Sequence, residues 1–107
     1  FCIMKVKGRK TGNIISIALL TIPHENDYIL VASQGGAKTN PIWYYNLKEN
    51  PEIDMQVFSS RFRMRASELS KEEKDELWPK IIEAYPGYQN YQKVTDRNIP
   101  VFLCKKI

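Results

Sequence analysis

The chain has 107 residues, a hydrophobic fraction of 43%, a formal net charge of +4 and a pI near 9.1. That length supports one domain with a single core, without help from disulfides or metals. The longest apolar run, IISIALLTI, contains Ser16 and Thr21 and reaches about half the length of a membrane-spanning helix. The chain has a single histidine, His24; its cysteines Cys2 and Cys104 lie near opposite ends; and it shows no CxxC, GxSxG or Walker pattern. Neither a zinc site nor a disulfide framework is supported, and the usual catalytic sets are missing. The chain opens on Phe1 with no charged region ahead of an apolar stretch, so a native N-terminal segment, an anchor or a helix, is expected to precede it.

Residues 1–6 and 14–22 are rich in β-branched and apolar side chains and read as two strands around the glycine-bounded loop KGRKTG. The second run is apolar on both faces, which predicts the middle of a barrel or sandwich. PHEND is a turn, and YILVASQ is a third strand that stops at Gly35-Gly36. Asn40-Pro41 predicts a helix start, with the asparagine side chain capping free amides and the proline at the first helical position; the helix runs over 41–49 and stops before Pro51.

From Glu52 the pattern changes to strict alternation. Ile53, Met55 and Val57 share one face, and after a turn at Ser59-Ser60 so do Phe62, Met64 and Ala66, with Glu52, Asp54 and three arginines opposite. This predicts a half-buried antiparallel hairpin with opposite charges facing across it. Ser70 followed by Glu73 is a capping box, and Leu77, Trp78, Ile81, Ile82 and Tyr85 form an apolar stripe at helical spacing. Pro79 predicts a kink or restart near Trp78. Pro86-Gly87 ends that helix, a short helical piece carries Tyr88 and Tyr91, and residues 99–106 form a closing strand. About six antiparallel strands with two or three helices inserted between them favour a mainly β, α+β fold, a small barrel flanked by helices.

Two features ask for a ligand. Lys5, Lys7, Arg9 and Lys10 fall within six residues and call for an anion: nucleic acid, a lipid headgroup, or a small molecule bearing phosphate or carboxylate. Tyr85, Tyr88 and Tyr91, spaced three apart, fit either a core or a polar-lined aromatic pocket, because each buried hydroxyl needs a partner. Asp96-Arg97 reads as a cap plus an ion pair. The two cysteines read as ordinary packed thiols.

The blocks GRKTG, VASQGGAKTNPIWYYNLKENP and ELWPKIIEAYPGYQNYQKVTDRNIPVF, in that order and spacing, resemble the deazaflavin-dependent nitroreductase family. These are split β-barrel oxidoreductases of the FMN-binding-like type that use the deazaflavin coenzyme F(420). The resemblance covers nearly the whole chain. It implies that Ser33, Gln34, Gly35 and Gly36 lie against the deazaflavin ring, the glycines permitting close approach of the backbone. It also implies that Lys7, Arg9 and Lys10 hold the phosphate and oligoglutamate tail. Trp43 would border both coenzyme and substrate, with Tyr85, Tyr88 and Tyr91 walling the substrate side and Tyr91 or Tyr88 orienting or protonating the acceptor.

The implied reaction is hydride transfer from reduced F(420) to a quinone, enone or nitro compound, with no metal. Two departures set this chain apart from many members. Gln34 stands where a basic residue is common, and Ile14 and Ile15 stand where an arginine follows the GRKTG loop. A looser grip on the tail, or FMN, haem or another anionic ligand in its place, is the alternative those departures raise. A barrel binding nucleic acid also fits the charge but not the aromatic clustering, so the expected partner is a small-molecule acceptor and not nucleic acid. The implied setting is cytoplasmic, with membrane association only through a preceding N-terminal segment, as a monomer or homodimer.

Overall fold

The computed structural model describes all 107 residues. Seven strands form: β1 (Cys2–Lys7), β2 (Ile14–Leu19), β3 (Ile22–His24), β4 (Asp27–Val31), β5 (Glu52–Val57), β6 (Ser60–Glu68) and β7 (Val101–Lys106). Three helices join them: α1 (Ile42–Glu49), α2 (Lys71–Ala84) and α3 (Gly87–Lys93), with a 3-10 turn at Gln34–Gly36. Every strand pair is antiparallel, in the order β2-β1-β5-β6-β7-β4-β3. The two edge strands are consecutive in sequence, joined only by Leu20 and Thr21. The sheet therefore curls until its two edges are bridged by one bent segment, which makes the split barrel.

That arrangement corrects the expectation for residues 14–22. The run does not lie in the middle of the sheet; it bends at Leu20-Thr21 and serves both edges, with Ile14 64% and Ile15 38% exposed. Apolar strand composition marks two-sided burial only where both faces have a covering layer, and β2 has one. The segment covered on both faces is β4. Leu30 and Ala32 enter the barrel core with Met4, Val6, Met55, Met64 and Phe102. Their neighbours Ile29 and Val31 join a second core with Val101, Ile99, Ile81 and Tyr88. Alternation along β4 thus divides one apolar run between the barrel interior and the layer of α2 and α3.

The hairpin forms as its pattern predicts. Ile53, Met55, Val57, Met64 and Ala66 are buried, Arg63 faces Asp54 at 3.2 Å and Arg65 faces Glu52 at 2.9 Å. Its turn sits one residue early, at Phe58-Ser59, with Phe58 at φ 56°. The capping box on α2 is complete: Ser70 Oγ accepts from Glu73 N, and the Glu73 carboxylate accepts from Ser70 N.

The predicted side-chain cap of α1 does not form, and the predicted restart at Pro79 does not occur. Pro41, not Asn40, is the N-cap of α1, and no side chain caps it, because the Asn40 amide is engaged elsewhere. Helix α2 also runs through Pro79 without a restart. The carbonyl that Pro79 leaves unpaired belongs to Asp75, on the exposed face, where water can take it. No helix is long and apolar enough to cross a membrane.

Candidate functional site

The site begins where β4 runs out. Beyond Val31 the chain enters the turn at Gln34–Gly36, with Gln34, Gly35 and Gly36 all at positive φ (46°, 63° and 81°). Gly36 N donates to Ser33 O at 3.0 Å and Ala37 N to Gln34 O at 3.1 Å, which closes the turn. The amides of Ser33, Gln34 and Gly35 make no hydrogen bond within the chain. Three consecutive free donors at the end of a buried strand require an outside partner, water or ligand.

Beneath the turn lies a residue read only as an ion-pair former. Arg97 makes no salt bridge. Its Nε donates to Ala37 O at 3.1 Å, Nη1 to Ala32 O at 3.1 Å and to Asn40 Oδ1, and Nη2 to Ser33 O at 2.7 Å. Burial holds its guanidinium below the usual range, with Tyr45 acting in the opposite sense.

Beside the turn opens a cleft of about 340 Å³, lined by Ser33, Gln34, Trp43, Tyr88, Pro41 and an apolar floor from β2 and β4 that includes Leu19 and Leu30. Trp43 is held by packing against Phe102, ring centroids 6.2 Å apart. Tyr88 is 5% exposed, and its hydroxyl has no partner within the chain yet is not sealed from the surface. Burial is the main reason its pKa is pushed up to about 12, with Tyr85 and Tyr91 adding to it. At neutral pH it is a hydrogen-bond donor and remains protonated.

Farther along the same two elements, β2 and α1, a second groove of about 300 Å³ is lined by Gly8, Arg9, Lys10, Thr11, Ile15, Ile42 and Asn46. The loop that supplies the cations is folded by Gly8 N donating to Asn13 O (2.8 Å) and Gly12 N to Gly8 O (2.9 Å), with Gly12 at φ 76°. It is tied to α1 by Arg9 N donating to the buried Asn46 Oδ1 at 3.1 Å, while the Arg9 guanidinium stacks 5.2 Å from the Tyr45 ring centroid. This leaves Lys10 as a free cation at the groove's edge.

The structure thus gathers Ser33, Gln34, Trp43 and Tyr88 in one cleft and Arg9 and Lys10 in a groove beyond it. It does not bring Lys7 to either. Alternation along β1 sends Cys2, Met4 and Val6 inward, so Lys5 and Lys7 face outward and line a different groove with Glu49, Glu52 and Asp54. Gly36 is also reassigned. A Cβ there would lie 2.5 Å from Val94 Cγ2 and 2.8 Å from Tyr91 O, so the close approach it permits is to α3. Gly35, with nothing within 4 Å of its would-be Cβ, remains open to an outside partner.

Among the tyrosines only Tyr88 lines the cleft. The hydroxyls of Tyr85 and Tyr91 meet each other at 3.3 Å, with ring centroids 4.7 and 6.2 Å from that of Tyr88. Tyr88 and Tyr91 therefore do not aim their hydroxyls together, despite their helical spacing. Sequence reasoning missed Arg97 and Asn40 as the supports of the turn. It also missed Asn46, a buried amide in the middle of an otherwise apolar helix face, which was the available signal.

A flat aromatic ring with a polar edge suits the apolar cleft and its free amides, and an anionic tail suits the cationic groove. A curled antiparallel sheet carrying that pair of grooves along β2 and α1 defines a split-barrel protein with room for an aromatic, anionic ligand. The model of the F(420)H(2)-dependent quinone reductase family matches residues 1–106. One relative, described as a candidate F(420)H(2)-dependent quinone reductase from Mycobacterium tuberculosis, is 37% identical over 103 residues, covering 96% of this chain and 87% of that protein. A second from the same species, an F(420)H(2)-dependent quinone reductase, is 34% identical over 102 residues, or 92% of this chain and 68% of that one. A solved F(420)H(2)-dependent reductase superposes with a TM-score of 0.89 at 36% identity, covering 97% of this chain and 92% of that one. The chain belongs to the F(420)H(2)-dependent quinone reductase family.

Proposed function

We propose that this protein reduces a quinone or a similar electron-poor acceptor with F(420)H(2), holding the ring in the cleft beside Ser33–Gly35 and the tail along α1 toward Arg9 and Lys10. The observation that carries the reading is an apolar cleft lined by Ser33 and Gln34, whose amides are unpaired like that of the adjoining Gly35, continued along β2 and α1 by a cationic groove. When bound, the coenzyme supplies the hydride.

The protein's own part is then to bind, orient and exclude water. Ser33, Gln34 and Gly35 offer amide donors to a carbonyl-bearing ring edge. Trp43 and the apolar floor remove water from the flat face. Arg9 and Lys10 give charge-assisted hydrogen bonds to phosphate and carboxylate oxygens. The Tyr88 hydroxyl, protonated and without an internal partner, is the donor this reading assigns to an acceptor oxygen, where negative charge grows during reduction. Tyr85 and Tyr91, paired behind it, fix its ring.

The test titrates the purified protein with F(420), FMN and haem, following fluorescence or absorbance, and then follows oxidation of F(420)H(2) by menadione. F(420) should bind, and menadione should be reduced in proportion to the protein added. Binding of FMN or haem in preference to F(420) would overturn the reading.

A further inference from the structure

We infer that Arg97 is a positioning residue for the coenzyme ring: by gripping the carbonyls under the Ser33–Gly36 turn, it holds that turn's free amides outward. The inference rests on the reading that the ring sits at this turn. Peptide geometry sets the direction of those amides. In a trans peptide the C=O and N–H of one unit point in opposite directions. Arg97 takes Ala32 O, whose peptide unit carries the Ser33 N–H, and Ser33 O, whose unit carries the Gln34 N–H. Each hydrogen bond to the guanidinium therefore turns one free amide away from Arg97. The third free amide, of Gly35, belongs to the unit whose carbonyl is held by Ala37 N, and Ala37 O is itself held by Arg97 Nε. Ser33 and Gln34 line the cleft and Arg97 does not, so the grip and the donors lie on opposite sides of the backbone.

The choice of residue follows from the same contacts. Four acceptors converge on one planar fork, and all are neutral: three carbonyls and the Asn40 amide. A lysine ammonium carries the charge but cannot span acceptors contributed by residues 32, 33, 37 and 40 in one plane. With no carboxylate paired to it, the Arg97 charge also adds a positive field behind the amides, which favours an electron-rich ring edge.

The experiment separates ring from tail. F(420) and its tail-less deazaflavin ring are titrated into wild type, Arg97→Lys, Asn40→Ala and the double variant Arg9→Ala/Lys10→Ala, with the thermal midpoint measured for each. Arg97→Lys should weaken F(420) and the tail-less ring by the same factor, about tenfold or more, and Asn40→Ala by a smaller common factor. Arg9→Ala/Lys10→Ala should weaken F(420) alone. Guanidinium ion added to a folded Arg97→Ala protein should recover part of the ring affinity. Arg97→Lys that loses thermal stability but binds both ligands as wild type does would overturn the positioning role while leaving the proposed function standing. A wild type that binds neither ligand would overturn both.

Discussion

At the scale of single residues, the three tyrosines divide by environment and not by spacing. Tyr88 lies in the second core and lines the cleft, whereas Tyr85 and Tyr91 share a hydrogen bond near the surface. If Tyr88 donates to the acceptor oxygen in the transition state, Tyr88→Phe removes one hydrogen bond of about 1–1.5 kcal/mol and lowers kcat/KM about tenfold. The thermal midpoint should hold, because the lost hydroxyl has no internal partner and the ring stays in place. Tyr91→Phe breaks only the exposed pair with Tyr85, so turnover should change less than threefold or so. Equal turnover loss in the two variants, measured with menadione, would place the donor elsewhere in the cluster.

At the scale of elements, the glycine turn is a joint between β4 and α3. Gly35 and Gly36 both lie at positive φ, but only Gly36 is pressed against a neighbour. Gly35→Ala should cost about 1–2 kcal/mol of backbone strain. Gly36→Ala should cost more, since its Cβ meets Tyr91 backbone that cannot swing aside as a side-chain end can. Chemical denaturation of both variants ranks them, and the reverse order would show that α3 yields.

The same joint shows what could be read beforehand. The β5–β6 hairpin and the α2 capping box were legible because their signals are local: period-two alternation, and a serine three residues ahead of a glutamate. Residues 14–22 were not, because which sheet face is covered depends on where α2 and α3 pack. Lys7 was misplaced by counting charges along the chain, although alternation from Cys2 to Val6 already put it on the outer face. Ser33, Gln34, Trp43 and Tyr88, which only the family resemblance had grouped, line one cleft. Arg97 was opaque, since three of its four partners are backbone carbonyls, which leave no mark in a sequence.

At the scale of the molecule, the two cores and their margins hold ionisable groups that burial biases toward the neutral form, and this makes the fold sensitive to alkali. Cys104, fully buried in the barrel core, is pushed from its ordinary 9.0 to about 12, first by burial and then by the charges of Cys2 and Asp27. Burial raises the Cys2 thiol as well. Tyr88, mainly through burial, and Tyr44, through burial and then its hydrogen bond to Glu68, are each raised to about 12 from 10.0. Above pH 9 the unfolded chain releases the Cys104 proton while the folded chain keeps it. The folded state then binds more protons, and stability falls with rising pH. The contribution of Cys104 is whole below pH 9 and is lost between 9 and about 12. Lys74 opposes this: burial lowers its pKa, so it favours the folded state as pH rises toward 10.5. Thiols begin to act before phenols, so between pH 9 and 10 the slope belongs mainly to Cys104 and Cys2. One such group gives up to about 1.4 kcal/mol per pH unit, or about 4–8 °C in Tm for a domain of this size. Thermal midpoints at half-unit steps from pH 8 to 10.5 should therefore be level at first and then decline. In Cys104→Ala the decline between pH 9 and 10 should be shallower, with the later fall from the tyrosines retained. An unchanged slope in that variant would mean that the buried thiol ionises in the folded barrel as easily as in water.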